Sequence, residues 1–146
     1  MAYTDFTLEQ VTRKFQIELR EEVLFNHVTP IEPSDYLKET LRLAELLHIG
    51  NESTRSERII SPILGEVMRL IDFRLKLFAG ENLPGDPSMG LNGEVDYVVA
   101  DSPVFIMLQG PLICVVEGKK DSMDSGVPQL IAQLIGAQRW NKAERN

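Results

Sequence analysis

A carboxylate, a glycine and two lysines follow an uninterrupted apolar run, in the order Glu117-Gly118-Lys119-Lys120. The run itself, residues 112–116, is short and rich in β-branched side chains, which predicts a strand buried on both faces. Side chains alternate along a strand, so Glu117 and Lys119 point to the same face. Burial of a lone carboxylate is strongly unfavourable unless a cation or a metal compensates its charge. The pattern is typical of a charged site at a strand end, although a strand that ends in a charged turn has the same residues.

A second acid, Asp96, lies in the preceding predicted strand, residues 94–100, on the polar face of an alternating pattern. If the two strands are neighbours, Asp96 and Glu117 lie side by side. Two carboxylates that close repel each other unless a divalent ion lies between them. Oxygen ligands suit Mg²⁺ or Mn²⁺ rather than zinc. The sequence therefore predicts one divalent cation between Asp96 and Glu117.

A third acid is expected from the long helix predicted for residues 51–75, which carries Glu57 and Glu66. With an advance of about 100° per residue, Glu57 lies about 60° from Ile60 on the core-facing stripe, and Glu66 lies about 120° away on the other side. We therefore predict that Glu57 faces the sheet and that Glu66 faces solvent or a partner. Pro62 near the middle of this helix predicts a kink. A first-turn acid favoured by the helix dipole is an alternative interpretation of Glu57.

The ordered set of Asp96, Glu117-x-Lys119 and a following helix with Gln129 and Gln133 resembles the PD-(D/E)XK nuclease superfamily. Residues 51–64, Asn-Glu-Ser-Thr-Arg-Ser-Glu-Arg-Ile-Ile-Ser-Pro-Ile-Leu, resemble the helix entry of the N-terminal domain of type I restriction enzyme R subunits. The chain is closer still to uncharacterised cyanobacterial-type members, which share a strand like Gly-Glu-Val-Asp-Tyr at residues 93–97. The resemblance covers residues 52–141.

This resemblance implies a Mg²⁺- or Mn²⁺-dependent endodeoxyribonuclease, a hydrolase of DNA phosphodiester bonds. The lysine would position or activate the attacking water, and the metal would stabilise charge on the phosphate and generate hydroxide. The two glutamines are four residues apart on one helix face and would line the site. The implied metal ligands are Asp96, Glu117 and the main-chain carbonyl of Gly118, and the other implied site residues are Lys119, Glu57, Gln129 and Gln133.

Members of the superfamily that have lost activity supply the alternative function. In that case the chain is an inactive nuclease-fold module that binds a partner protein or serves as a subunit of a defence or repair system. The acidic composition favours this alternative, whereas the complete set of site residues favours the enzyme.

The predicted elements that hold these residues are two helices, one long helix, three or four strands and a closing helix, in that order. Helices packed on a small mixed β-sheet make an α/β fold, which the resemblance refines to a restriction-endonuclease-like core. At 146 residues we expect a single domain, with a helical N-terminal extension in residues 1–50 and the nuclease-like core in residues 51–146. Residues 23–28 are predicted to be a further short strand, residues 104–108 are predicted to be another strand or an extension, and the closing helix is predicted for residues 127–141.

Capping signals mark the ends of several predicted helices. Thr7 followed three residues later by Gln10 resembles a capping box before the first helix. Ser34 or Asp35 is expected to cap the second helix. A turn over residues 121–126 is expected before the closing helix.

The net charge of −7 argues against loose binding to nucleic acid, because proteins that depend on phosphate contacts usually carry a basic face. DNA as a partner therefore needs a local basic patch, or metal ions that offset the acids. The basic residues expected near the site are Arg55, Arg58, Lys119, Lys120, Arg139 and Lys142.

No stretch approaches the about 20 apolar residues of a membrane-spanning helix, and no basic, apolar leader opens the chain. We therefore expect a cytoplasmic protein without a membrane partner. Superfamily members usually continue past the closing helix into at least one more strand, whereas this sequence stops at Asn146. We expect either a trimmed C-terminus, or a homo-oligomer or partner subunit that completes the sheet.

Overall fold

The computed structural model describes residues 1–119 and 123–144. Within these ranges the chain is α/β, with a three-stranded antiparallel sheet and helices. The helices are α1 Leu8–Phe15, α2 Asp35–Leu46, α3 Glu52–Arg55, α4 Ser61–Leu70 and α5 Met123–Ala143. A π-helical segment, Ser56–Ile60, joins α3 to α4. The strands are β1 Lys76–Asn82, β2 Glu94–Ala100 and β3 Leu112–Val116.

Local sequence determines where the first two helices begin. The Thr7 hydroxyl accepts a hydrogen bond from the Gln10 amide at 3.2 Å, and the Gln10 side chain accepts one from the Thr7 amide at 2.9 Å. The Ser34 hydroxyl accepts from the Leu37 amide at 3.2 Å, so Ser34 rather than Asp35 caps α2. Both predicted caps are confirmed, because each satisfies backbone donors that the helix itself leaves free.

The three strands follow one another in the sheet in the order β1-β2-β3, and every pair is antiparallel. Phe78 lies opposite Val98, which lies opposite Val115, so the three side chains share one apolar face. Residues 83–93 and 101–111 connect the strands and are too short for a parallel crossover, which takes about a dozen residues or more. The prediction of a mixed sheet is therefore wrong, and the sheet is antiparallel.

Strand β3 is buried on one face only, contrary to the prediction that both faces are covered. Leu112 and Val115 are buried, whereas Ile113 is 58% exposed and Cys114 is also exposed. The register shifts within β3, so that Ile113 stands outside the alternation with β2. Side chains point to the faces of a sheet, so the exposure of Ile113 and Cys114 shows that the described elements leave the face that carries them uncovered.

Two further segments predicted as short strands are irregular in the part of the chain that the structure describes. Residues 23–28 contain no strand, and Phe25 adopts a φ of 62° with its side chain exposed. Residues 104–108 form bends beyond the end of β2, with Phe105 and Ile106 exposed. A β-rich composition does not make a strand where no neighbouring strand is available to pair with it.

The N-terminal residues contribute to the same core as the sheet. Tyr3, Phe6 and Val11 are buried in one cluster with Phe78 and Val98. Helix α5 packs on β3. It also contacts α1 and the 3₁₀ turn Tyr3–Asp5, which precedes α1. The segment predicted as an N-terminal extension is therefore packed against the sheet-bearing part of the chain.

Helix α5 begins earlier than predicted. Residues 123–126, which were predicted to be a turn, are already helical, and Pro128 lies inside the helix. Residues 121 and 122 of that predicted turn lie outside the described residues.

The π-helical segment ends two residues before Pro62 and joins α3 to α4 without a break. In it the Ser61 amide donates to the Ser56 carbonyl, five residues earlier. Proline lacks an amide hydrogen, and its ring crowds the preceding turn of an ordinary α-helix. A π-helical turn provides the extra room, because its hydrogen bonds span five residues instead of four. The proline is therefore accommodated by a change of helix type.

Glu66 is buried between α4 and α2, which corrects the prediction that it faces solvent or a partner. Its side chain accepts two hydrogen bonds from Arg69, at 2.9 and 3.0 Å, and one from the Ser34 amide at 2.9 Å. The Arg69 guanidinium, and then the Ser34 amide, lower the pKa of Glu66 from its ordinary 4.5 to about 2. Glu66 thus ties the start of α2 to α4.

We expect Glu66 to make the fold sensitive to acid. Its pKa is lower in the folded chain than in the unfolded one, so its stabilising contribution is present above pH 4.5 and is lost as pH falls towards 2. Urea unfolding measured across this pH range should show a loss of unfolding free energy that Glu66→Gln lacks. Glu45→Gln, at an exposed position of α2, is the matched control and should keep the native pH dependence. An unchanged pH profile in Glu66→Gln would contradict this assignment.

Candidate metal centre

Two acids meet where β2 begins and β3 ends. Tyr97 pairs with Val116 across these antiparallel strands, so the next positions along each strand, Asp96 and Glu117, are also neighbours. The predicted adjacency of the two strands is confirmed. The Tyr97 hydroxyl donates to the Ser56 carbonyl at 3.2 Å and so fixes the π-helical segment above this end of the sheet.

The third acid is Glu52, the first residue of α3. One carboxylate oxygen from each of Glu52, Asp96 and Glu117 lies within 4.8 Å of the other two. Glu57, which was predicted to face the sheet, is instead exposed. The structure therefore corrects the assignment of the helix acid from Glu57 to Glu52.

The π-helical segment explains why the helical wheel selected the wrong acid. An ideal advance per residue was carried across residues 56–60, where the helix is wider. The face turned to the site carries Glu52, Ser56 and Ile60, which are spaced four apart. Residue types alone carried one signal for Glu52: as the first residue of the helix, it follows the Asn51 cap.

Lys119 lies between two of the acids. Its Nζ donates to Glu117 Oε1 at 2.7 Å and to Glu52 Oε1 at 2.9 Å, with 23% of the side chain exposed. Burial by itself lowers the pKa of the Lys119 ammonium, but the hydrogen bonds to Glu117 and Glu52 outweigh it and raise the pKa above its ordinary 10.5. The lysine is therefore a cation at neutral pH, and it offsets part of the negative charge of the cluster.

Helix α5 supplies the amides that hold Glu117. Gln129 Nε2 donates to Oε1 and Gln133 Nε2 donates to Oε2, each at 2.7 Å. Together with Lys119 they surround a carboxylate whose side chain is only 3% exposed. The two glutamines, four residues apart, thus converge on the acid that the sequence placed beside them.

Gly118, two residues beyond the end of β3, lies close to the π-helical segment. Its amide donates to Asp96 Oδ2 at 2.6 Å. A Cβ at this position would lie 2.9 Å from Ile60 Cδ1 and 3.1 Å from Ser56 Oγ, so the Ile60 and Ser56 side chains would have to shift to admit a larger residue there. The role of the Gly118 carbonyl as a metal ligand stays a prediction.

The residues present fit a divalent cation of the hard, oxygen-binding kind. Three carboxylates converge, and one ammonium offsets only part of their charge. Gln133 Oε1, in a residue with no exposed surface, has no hydrogen-bond partner among the described residues. Carboxylate and amide oxygens are the ligand types that Mg²⁺ and Mn²⁺ take in proteins. An open cleft of about 380 Å³ adjoins the cluster on the side of Asp96 and Glu52.

The predicted basic patch is only partly assembled. Lys119 and Arg55 line a common cavity beside the acids. Arg139 instead forms an ion pair with Asp86, and Arg58 donates to the His48 carbonyl at 3.2 Å. Lys142 lies in the last turn of α5, and Lys120 lies outside the described residues.

Comparison of the chain with protein-family models, with curated proteins and with solved structures finds no match in any of the three. Across residues 1–119 and 123–144, no helix is both long enough and apolar enough to cross a membrane.

Proposed function

We propose that this chain is a Mg²⁺- or Mn²⁺-dependent hydrolase of DNA phosphodiester bonds. In this proposal it has a restriction-endonuclease-like core and acts in the cytoplasm. The observation that carries the proposal is the convergence of Glu52, Asp96 and Glu117 around the Lys119 ammonium. The acids come from a helix, a strand and a strand end, and they supply oxygen ligands for a metal ion. The lysine supplies a positive charge, and metal ions and positive charges both stabilise the charge that develops during phosphodiester hydrolysis.

Asp96 and Glu117, with Glu52 in the place first given to Glu57, would hold the divalent ion. When bound, the ion supplies positive charge to a phosphate oxygen and lowers the pKa of a bound water. Asp96 is oriented by the Gly118 amide and Glu117 by the two glutamines of α5. These hydrogen bonds hold the ligand oxygens in place before substrate arrives, which reduces the reorganisation that the reaction requires.

The Lys119 ammonium has a hydrogen-bonding role in this proposal. As a cation it donates protons in hydrogen bonds and has no lone pair with which to accept one. It therefore serves to orient the attacking water or a phosphate oxygen and to stabilise developing negative charge. Its position between Glu52 and Glu117 places that charge beside the proposed ion site.

A metal titration tests which acids bind the ion. We expect calorimetry with Mn²⁺ to show weak binding by the native chain and at least about tenfold weaker binding by Asp96→Ala and by Glu52→Ala, because each loses a ligand oxygen. Glu57→Ala removes an equal charge from an exposed site on the same helical run and should bind Mn²⁺ like the native chain. Equal heats from the native chain and from Asp96→Ala would contradict the site.

The edge of β3 beyond Leu112 favours a second candidate function, that of an inactive nuclease-fold module with a protein partner. At Leu112 itself the edge is capped, because its backbone N–H donates to Asn141 Oδ1 at 2.7 Å and its C=O accepts from Asn141 Nδ2 at 2.8 Å. Ile113 and Cys114 are exposed on this edge strand, which carries no charged side chain to discourage pairing. A second copy of the chain or a partner subunit could complete the sheet there. This function predicts no cleavage of single- or double-stranded DNA with Mg²⁺ or Mn²⁺ over a broad pH range, together with association that Ile113→Lys disrupts in sedimentation.

A further inference from the structure

A second cavity, of about 310 Å³, shares Glu117, Gly118 and Lys119 with the candidate metal centre. Its volume lies at the lower end of the range for small-molecule pockets, about 300–1,000 Å³. The other walls are mostly aliphatic and come from the π-helical segment and from the first turns of α5. They are Ile59, Ile60, Met123, Val127 and Leu130, with Arg55 at one side.

Arg55 is a cation of this cavity without an internal partner. Its side chain makes no hydrogen bond or ion pair with another described residue, and its Nε is buried without an acceptor. A buried guanidinium nitrogen left in this state is unfavourable, and the planar guanidinium matches the oxygens of carboxylates and phosphates. Because no described carboxylate pairs with Arg55, a phosphate from a ligand is the acceptor we consider. The chain has a net charge of −7, yet Arg55 has no described ion-pair partner and lies next to apolar walls. We interpret this arrangement as a sign that Arg55 binds an anionic ligand.

We propose that this cavity receives an unpaired nucleobase, with Arg55 on an adjacent phosphate, and that the substrate is therefore single-stranded or locally unpaired DNA. The inference rests on the proposed function, because it places the base beside the phosphodiester bond at the metal centre. Aliphatic walls contact the faces of a base, and the neighbouring cations Arg55 and Lys119 match its charged backbone.

The acidic composition supports unpaired DNA over an intact duplex. Binding to duplex DNA depends largely on neutralising many phosphates, and among the described residues that line this cavity only Arg55 and Lys119 are cations. A base within a duplex would also have to leave its stack to enter the cavity, which costs a few kcal/mol, whereas an unpaired base avoids most of that cost. In this proposal, apolar contact with one base in the cavity contributes the binding free energy that additional phosphate contacts would otherwise supply.

The experiment fills the cavity and compares the two forms of DNA. Val127→Phe introduces a larger side chain into the cavity, and Leu134→Phe makes a similar change on α5 at a residue that lines a different groove, beside β3. Fluorescence anisotropy with labelled oligothymidine and with a labelled duplex, in Ca²⁺, measures binding without relying on cleavage. We expect the native chain and Leu134→Phe to prefer the single strand at least about tenfold, and Val127→Phe to lose that preference.

Arg55→Gln provides a second measurement that does not depend on filling the cavity. Removing one phosphate contact should reduce the slope of log affinity against log salt by about 0.7 for a single strand. Circular dichroism checks that each variant is folded. If Val127→Phe does not fold, the salt slope of Arg55→Gln decides, and an unchanged slope would then overturn the inference.

The outcomes separate this inference from the proposed function. Equal affinity of the native chain for both DNA forms, or an unchanged preference in a folded Val127→Phe, overturns the base pocket while metal-dependent cleavage can stand. Single-strand binding that Val127→Phe abolishes, in a native chain that cleaves neither DNA with Mg²⁺, supports the pocket and overturns the nuclease activity.

Discussion

Lys119→Ala is expected to abolish Mg²⁺-dependent cleavage of DNA, with a rate at least about 100-fold below that of the native chain. The substitution removes the ammonium that lies between Glu52 and Glu117 and that would orient the nucleophile or stabilise developing charge. The carboxylates of Asp96 and Glu117 keep their other hydrogen bonds, to the Gly118 amide and to the glutamines of α5. We therefore expect the chain to stay folded and to keep much of its affinity for DNA.

The matched control is Lys142→Ala, which removes an exposed lysine from α5. It lies nine residues beyond Gln133, about 13 Å further along the helix, and should cleave at the native rate. Cleavage would be followed on single- and double-stranded DNA with Mg²⁺ and with Mn²⁺, with folding checked by circular dichroism. Cleavage of equal strength from the native chain and from Lys119→Ala would point to a contaminating nuclease and remove the case for this site.

Gly136→Ala is expected to destabilise the fold by about 3 kcal/mol, the upper end of the range for overpacked interiors. Gly136 is buried in α5, where a Cβ would overlap the Tyr3 hydroxyl and lie 2.9 Å from Tyr3 Cζ. The Gly85 backbone approaches the same residue from the β1–β2 connection. Tyr3 has little freedom to move, because it is buried and its hydroxyl donates to the Leu83 carbonyl at 2.9 Å.

Gly65→Ala is the control for helix propensity, because, apart from the adjacent residues and the backbone of α4 itself, no described residue lies within 4 Å of a Cβ at that position. It should stabilise the protein by about 0.5–1 kcal/mol, since alanine is the better helix former. Urea unfolding of the two variants against the native chain measures both effects. Stabilisation of similar size in both would show that Tyr3 and the Gly85 backbone do not press on α5.

The helix starts and the local arrangement of the charged residues could be predicted from the sequence, because short-range physics determines them. A hydroxyl cap satisfies backbone donors two or three residues away, so Thr7 and Ser34 mark helix starts in any context. Strand alternation predicts Glu117 and Lys119 on one face; both lie beyond the end of β3, and their side chains meet through the Lys119 Nζ–Glu117 Oε1 hydrogen bond at 2.7 Å. The spacing of Gln129 and Gln133 likewise places both on one face of α5.

The strand directions and the choice of helix acid depended on tertiary structure. A mixed sheet is predicted from the sequence, and the sheet is antiparallel. Connection length excludes a parallel crossover, but the strand bounds that set this length are known only from the structure, in which residues 104–108 form no strand. The helical wheel predicts that Glu57 faces the site, but Glu52 does so in the structure. The π-helical turn before Pro62 has more residues per turn, so the residues N-terminal to it point in other directions than an ideal α-helix would give. That turn is held by the Tyr97 hydroxyl, a contact across 41 residues of sequence.

Burial was also decided by contacts that are distant in the sequence. The angle of Glu66 on the helix predicts that it faces solvent or a partner. In the structure α2 covers Glu66, whose carboxylate accepts a hydrogen bond from the Ser34 amide, 32 residues away in the sequence. The sequence predicts a helical extension for the first residues of the chain, and the contact of Tyr3 with Gly136, distant in the sequence, buries Tyr3 in the same core as the sheet. Residues close in sequence determine where an element begins and how its side chains alternate. Which face is buried, and which acid reaches the site, depends on what the other elements bring against it.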